Sequence, residues 1–262
     1  MSVDLGAPAC AQLEAFLSQG FVALPGALNP NTARAASEAV LAAIEHPSGQ
    51  QEPVARATPA HPACARALVS PTLDAAYDLL LGDGRWQPRS DLGSCVVRFP
   101  ATTPAPDTGW HVDAGFGWET EADFMQWRVN VRSRGRALLL LVLLSDVGED
   151  DAPTRLLVGS HVRLARHLTQ HGERGQTLQE LVESGVLDPG SDEVALATGT
   201  AGTVFVCHPF LVHAAQDHHG KAPRVLAQPA IFARGELSLE SDPPNAVERA
   251  ILDATRTRRR NE

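Results

Sequence analysis

Arg136-Ala137-Leu138-Leu139-Leu140-Leu141-Val142-Leu143-Leu144 is the stretch whose reading decides the fold. Its eight uninterrupted apolar residues, from Ala137 on, fall far short of the roughly 20 that span a bilayer. They suit a strongly buried strand instead. Working outward, residues 95–99 and 127–131 read as strands before it, separated by a turn-rich loop over 100–109. After it comes the acidic loop 146–151, then a return to the core at 156–158. Further strands are expected at 201–206, around His213 and at 224–232. Residues 164–187 are more polar and read as helix or as a covering segment that ends near Gly185.

Upstream the texture is helical. Residues 9–16 predict a short amphipathic helix leading to a strand at 20–25. Pro30 precedes a helix over 31–44 that is broken by His46-Pro47-Ser48-Gly49. Residues 62–81 predict helix with a restart at Pro71 and a stop at Gly82-Asp83-Gly84. Many short strands joined by glycine- and proline-bearing connections favour a mainly β fold with flanking helices, a sandwich or jelly roll rather than a doubly wound sheet. The expected organisation is one domain over 1–262: a helical flank with leading strands to about 93, a catalytic core over 94–235 and an extension over 236–262.

The chain has 262 residues, with 31 acidic against 22 basic, a formal charge of -9. Such a balance argues against a nucleic-acid partner or an anionic membrane surface. Met1-Ser2-Val3-Asp4-Leu5 lacks the basic flank and apolar run of a secretory signal, so a soluble cytoplasmic protein is expected. Cys10, Cys64, Cys95 and Cys207 are scattered and are expected to be reduced thiols. The run Arg258-Arg259-Arg260 reads as a solvated terminus.

The chemistry concentrates in Gly109-Trp110-His111-Val112-Asp113-Ala114-Gly115-Phe116. In extended backbone the spacing of His111 and Asp113 sends both side chains to one face, where they can approach one metal. His213 is the candidate third ligand, and two imidazoles with one carboxylate suit iron(II) with coordination positions left open. Cys207 is a weaker choice beside this harder donor set. On the residues alone two other readings stand: a polar turn capped by His111 and Asp113, and a zinc site that activates water for hydrolysis.

Three motifs in order narrow this: Trp110-His111-Val112-Asp113, then Val158-Gly159-Ser160-His161, then Cys207-His208-Pro209-Phe210-Leu211-Val212-His213, with Arg224 11 residues further on. In that order they resemble the phytanoyl-CoA dioxygenase-like branch of the iron(II)- and 2-oxoglutarate-dependent oxygenases, over most of the chain from Gly20 to Phe232. The resemblance implies a double-stranded β-helix (jelly-roll, cupin-like) that gathers His111, Asp113 and His213 around Fe(II). It implies 2-oxoglutarate and molecular oxygen as cosubstrates, with Arg224 on the distal carboxylate of 2-oxoglutarate. It also implies hydroxylation over halogenation, because Asp113 occupies the position that halogenating relatives leave open. Thr154-Arg155 departs from the small-residue turn that such proteins often carry before Ser160-His161.

Arg98 and Gln126 are further candidates for the cosubstrate, and Trp110, Phe116 and Arg128 for the substrate pocket. Trp118, Phe124 and Trp127 lie close by in sequence and are explained equally well by packing. His208 reads as structural or supporting, His161 as a turn residue, and His218-His219 as an exposed connector. The function expected is oxidation of a small organic substrate such as a specialised metabolite, with a zinc hydrolase or a non-catalytic jelly-roll binding protein as the alternatives. Oligomeric state is left open.

Overall fold

Proline and polar caps start the first helices where the sequence places them. In the computed structural model, which describes residues 7–44 and 52–256, α1 (Ala7–Gln19) leads into β1 (Phe21–Leu24), and α2 (Pro30–Ala42) follows. Asn29 caps α2 by accepting a bond from the Asn31 amide, with Pro30 pre-set in its first turn. The expected break at 46–49 and the arginine run at 258–260 lie outside the described residues. Next come β2 (Val54–Ala57), α3 (Pro62–Ala67) and α4 (Pro71–Leu81); Ser70 caps α4 and Gly82, at φ 94°, ends it.

The core strands are β3 (Cys95–Arg98), β4 (Arg128–Val129), β5 (Arg136–Leu143) and β6 (Arg155–Leu157). Then α5 (Ser160–Leu168), β7 (Gln176–Thr177), α6 (Leu178–Glu183) and β8 (Val194–Leu196) fill the middle span. The chain closes with β9 (Val204–Cys207), β10 (His213–Ala214), β11 (Arg224–Ala227), β12 (Ala230–Phe232) and α7 (Ala246–Arg256). The single strand expected over 224–232 is two, interrupted at Gln228-Pro229, because proline has no N–H to give a ladder. The strand expected at 127–131 is only two residues of ladder, and the extension after 236 carries α7.

A seven-stranded antiparallel sheet runs β1-β9-β5-β11-β3-β2, with β12 also on β5; facing it is a three-stranded sheet, β10-β6-β8. Strand β5 is buried along seven of its eight residues, and its side chains divide by parity. Leu138, Leu140 and Val142 join the helical residues Phe16, Val40, Leu73 and Leu80 in the larger core. Leu139, Leu141 and Leu143 point the other way, into a second core with Phe205, Cys207, Leu226, Leu156 of the small sheet and Ala197 just past β8. That second core is the barrel interior, and strand parity puts Arg98 and Arg224 on the same inner face. The expected jelly roll is therefore present, with helices packed on its outer face. Among the described residues no helix is long and apolar enough to cross a membrane.

Two histidines brace the helices. The His161 and His208 rings lie 5.0 Å apart, beside Phe16 and Phe210. His161 Nε2 bonds Leu17 O at 3.2 Å, tying α5 to α1. Burial pushes His161 down to about 4, and burial with the neighbouring His161 pushes His208 down as well. The unfolded chain therefore binds more protons than the folded one below the ordinary histidine range. The contribution of these two histidines to stability should be flat above pH 7 and fall as pH drops below about 6.5, His161 alone contributing a loss of roughly 3 kcal/mol by pH 4. Thermal melts across this range check it, and a His161→Gln variant should flatten the slope.

Candidate active site

His111 and His213 meet through their main chains. Each backbone N–H donates to the other's carbonyl at 2.9 Å, an isolated antiparallel bridge rather than part of a regular strand. The bridge brings the ring centroids within 4.4 Å. His111 Nδ1 lies 2.9 Å from Gly109 O, and His213 Nδ1 lies 3.0 Å from Leu211 O. A carbonyl only accepts, so each neutral ring carries its proton on Nδ1 and keeps the Nε2 lone pair for a ligand. His213 Nε2 is buried and without a hydrogen-bond partner. Burial, with the adjacent His111, pushes His213 down to about 4 and so favours the neutral, ligating form.

Asp113 completes the group, its ligand atom and those of the two imidazoles all lying within 4.8 Å of one another. Arg136 Nη1 donates to Asp113 Oδ2 at 2.8 Å. Burial pushes the carboxyl up, but Arg136, together with His213 and His111, outweighs it and holds Asp113 below the usual carboxylate range. Two imidazole nitrogens, one orphaned in the interior, and an ionised carboxylate fit a divalent metal, and iron(II) suits that set.

Arg224 supplies a second feature. It is 3 % exposed, its side chain makes no hydrogen bond or ion pair among the described residues, and its Nε is buried without a partner. Burial first, and then the charge of Arg98, push its guanidinium down to about 9. Arg98 sits directly opposite across the β3–β11 ladder and is itself paired, donating to Asp107 Oδ1 at 2.6 Å. Burying a cation unpaired costs several kcal/mol. Such a group is built to receive an anion, and the planar fork of arginine matches a carboxylate.

The remaining candidates are placed as follows. Gln126 donates to Gln179 Oε1 at 2.8 Å and so ties its turn to α6. Arg128 reaches Arg174 O at 3.0 Å and Glu180, and its backbone bridges Phe116. Both residues tie β4 and the turn before it to the segment over 172–183, part of the span expected to be helix or cover. Gly175 lets that segment press on β4: a Cβ there would sit 2.0 Å from Val129 O, at a φ of +57°. Gly175→Ala should therefore loosen the packing of this segment on β4, read as faster amide exchange at residues 173–177 than in the rest of the chain.

Trp110 is partly buried, with the Arg155 guanidinium 4.8 Å from its ring centroid. Arg155 also bonds Thr108 O and Ala215 O at 2.7 and 2.8 Å, from the face of β6 opposite to the His213 side. It thereby fixes the segment that delivers His111, a role its position in the unusual Thr154-Arg155 turn did not reveal. His218 is 4 % exposed and bonded to Ala222 O, so the exposed-connector reading holds only for His219; packing of the loop against its own carbonyl buries the first histidine. Sequence reasoning missed Arg136, Asp107 and Arg155, whose roles depend on partners 23, 9 and 47 residues away.

A family model described as Phytanoyl-CoA dioxygenase (PhyH) matches residues 16–226. No curated protein sequence matches the chain. Among solved structures, the epimerase SnoN in complex with Fe3+, alpha ketoglutarate and nogalamycin RO aligns with a TM-score of 0.58 at 18% identity, covering 86% of this chain and 84% of that one. EctD from S. alaskensis with bound Fe aligns with a TM-score of 0.56 at 19% identity, covering 89% and 79%. HygX from Streptomyces hygroscopicus, with nickel and 2-oxoglutarate bound, gives 0.54 at 17% identity, covering 86% and 87%. At these identities the likeness is one of fold.

Proposed function

Since the chain belongs to the phytanoyl-CoA dioxygenase family, we propose that His111, Asp113 and His213 hold its iron(II) and that Arg224 anchors the distal carboxylate of 2-oxoglutarate. The protein is an iron(II)- and 2-oxoglutarate-dependent oxygenase acting on a small organic molecule. The observation that carries the residue assignment is the buried, unpaired Arg224 on the inner face of the same barrel. A zinc hydrolase needs the triad to activate water, but its reaction does not require a carboxylate-bearing cosubstrate anchored at such a cation.

Iron(II) with 2-oxoglutarate and oxygen, when bound, supplies the oxidising chemistry. The protein's own groups position it. Gly109 O and Leu211 O fix the two imidazoles in the ligating tautomer. Arg136 restrains the Asp113 carboxylate. Arg224 orients the cosubstrate, with Arg98 held back from competing for the same carboxylate by Asp107. Leu139, Leu141 and Phe205 keep water from the barrel floor.

Hydroxylation of a specialised metabolite is the reading we favour. SnoN and HygX were solved with nogalamycin RO and hygromycin B respectively, which supports a metabolite of that size class. The proposal takes the chain as one catalytic unit in the cytoplasm, where Cys64, Cys95 and Cys207, all buried thiols, would stay reduced. Anaerobic addition of iron(II) and 2-oxoglutarate should produce a visible charge-transfer band. Oxygen should then yield succinate together with a substrate product one oxygen atom heavier, followed by mass spectrometry. Folded protein that takes up neither component would overturn the assignment.

A further inference from the structure

We propose that Arg136 is an anion-binding residue of the active site, receiving a carboxylate of the primary substrate while it holds Asp113. The inference rests on the oxygenase reading above and goes on to name the substrate class. Arg136 opens β5 and spends one N–H, from Nη1, on Asp113 Oδ2. Its side chain makes no other hydrogen bond or ion pair among the described residues, and its Nε is buried without a partner. A guanidinium presents Nε–H and Nη2–H as two parallel donors along one edge, the arrangement that grips a carboxylate through both oxygens. In Arg136 that edge carries no bond, and the side chain is 16 % exposed, half the exposure of the Asp113 it contacts at 29 %.

Charge counting points the same way. Asp113 and Arg136 cancel, Asp107 cancels Arg98 while its second partner, Arg56, lies exposed in solvent, and imidazoles that ligate a metal through a lone pair add no charge. A divalent metal brings two positive charges, of which the carboxylate that 2-oxoglutarate places on it removes one. Its distal carboxylate answers Arg224. One positive charge remains in a part-buried site that a bound substrate would close further, beside a guanidinium with an unoccupied edge. A neutral substrate would leave that charge desolvated and unpaired, whereas an organic acid would match it.

The test uses the protein loaded with cobalt(II) and saturated with 2-oxoglutarate, and reads the paramagnetic relaxation of methyl protons of acetate against acetamide. Acetate should relax at least roughly fivefold more strongly, as expected for a charge-assisted, bidentate contact. Arg136→Gln should bring acetate down to the acetamide level. Arg136→Lys, which keeps the charge but loses the fork, should hold cobalt and weaken acetate binding about tenfold; it decides the matter if the glutamine variant loses metal. Equal relaxation of the two probes in the wild type, or acetate binding unchanged in both variants, overturns the proposal. So does an acetate effect that vanishes as 2-oxoglutarate saturates, which would assign the free edge to the cosubstrate. The iron(II) charge-transfer band separates the two levels: without it the oxygenase reading fails, and with it but no acetate effect only the role of Arg136 fails.

Discussion

Arg224→Leu is expected to melt higher than the wild type when neither metal nor 2-oxoglutarate is present, and to bind 2-oxoglutarate at least roughly 100-fold more weakly. The two effects have one cause. Arg224 is buried beside Arg98 with no carboxylate in contact, so the folded protein bears the desolvation of a cation that the more distant Asp107, already paired with Arg98, only partly offsets. An apolar side chain removes that penalty, a gain of about 1–4 kcal/mol by analogy with buried charges replaced elsewhere. For a chain of this size that is a rise of roughly 2–12 °C. Adding 2-oxoglutarate should raise the melting temperature of the metal-loaded wild type and leave the variant unmoved. A variant that is less stable and binds as tightly as the parent would show that another group anchors the distal carboxylate.

His213→Ala should lower the affinity for cobalt(II) or iron(II) by roughly 100- to 1,000-fold, since one of three ligands then has no replacement, and turnover should be lost with it. The bridge to His111 is made by main-chain atoms and survives the change, so the remaining pair stays in register. His208→Ala is the informative contrast. That ring packs against Phe16, His161 and Phe210, so its loss should lower stability while leaving metal affinity within a few-fold of wild type. Cobalt titrations of both variants, followed in the visible spectrum, check the pair. Wild-type affinity in His213→Ala would reject the triad.

Much of the scaffold was legible because its signals are local. Pro30, Pro62 and Pro71 stand at the first turns of α2, α3 and α4, and Gly82 stops the last of them. The apolar run after Arg136 is β5 almost to the residue. Other elements carried weak signals: β2 is Val-Ala-Arg-Ala and β8 is Val-Ala-Leu, too short for alternation to stand out. Helix α7 was readable and overlooked. Ala246, Val247, Ala250, Ile251 and Ala254 repeat at helical spacing, and Asn245 and Glu248 cap each other through reciprocal bonds of 2.9 Å. The roles of Arg155 and Asp107 gave no sign in one dimension, because each joins a strand to the loop before His111, whose position depends on the whole barrel.

What the sequence determined by itself was the chemistry of the proposed ligands: a histidine and an aspartate two residues apart, a second histidine, and an arginine 11 residues beyond it. Side-chain alternation alone was enough to put His111 and Asp113 on one face. Tertiary structure decided the rest of the site. It closed the gap of 100 residues between Asp113 and His213 by a backbone bridge, set Arg98 opposite Arg224, and laid Arg136 on Asp113. Ion pairing and burial depend on which side chains the packed sheets bring within reach, and the free energy that holds them there comes from the two cores, not from the residues of the site. An arginine left without a carboxylate can be recognised only once every neighbour has been placed.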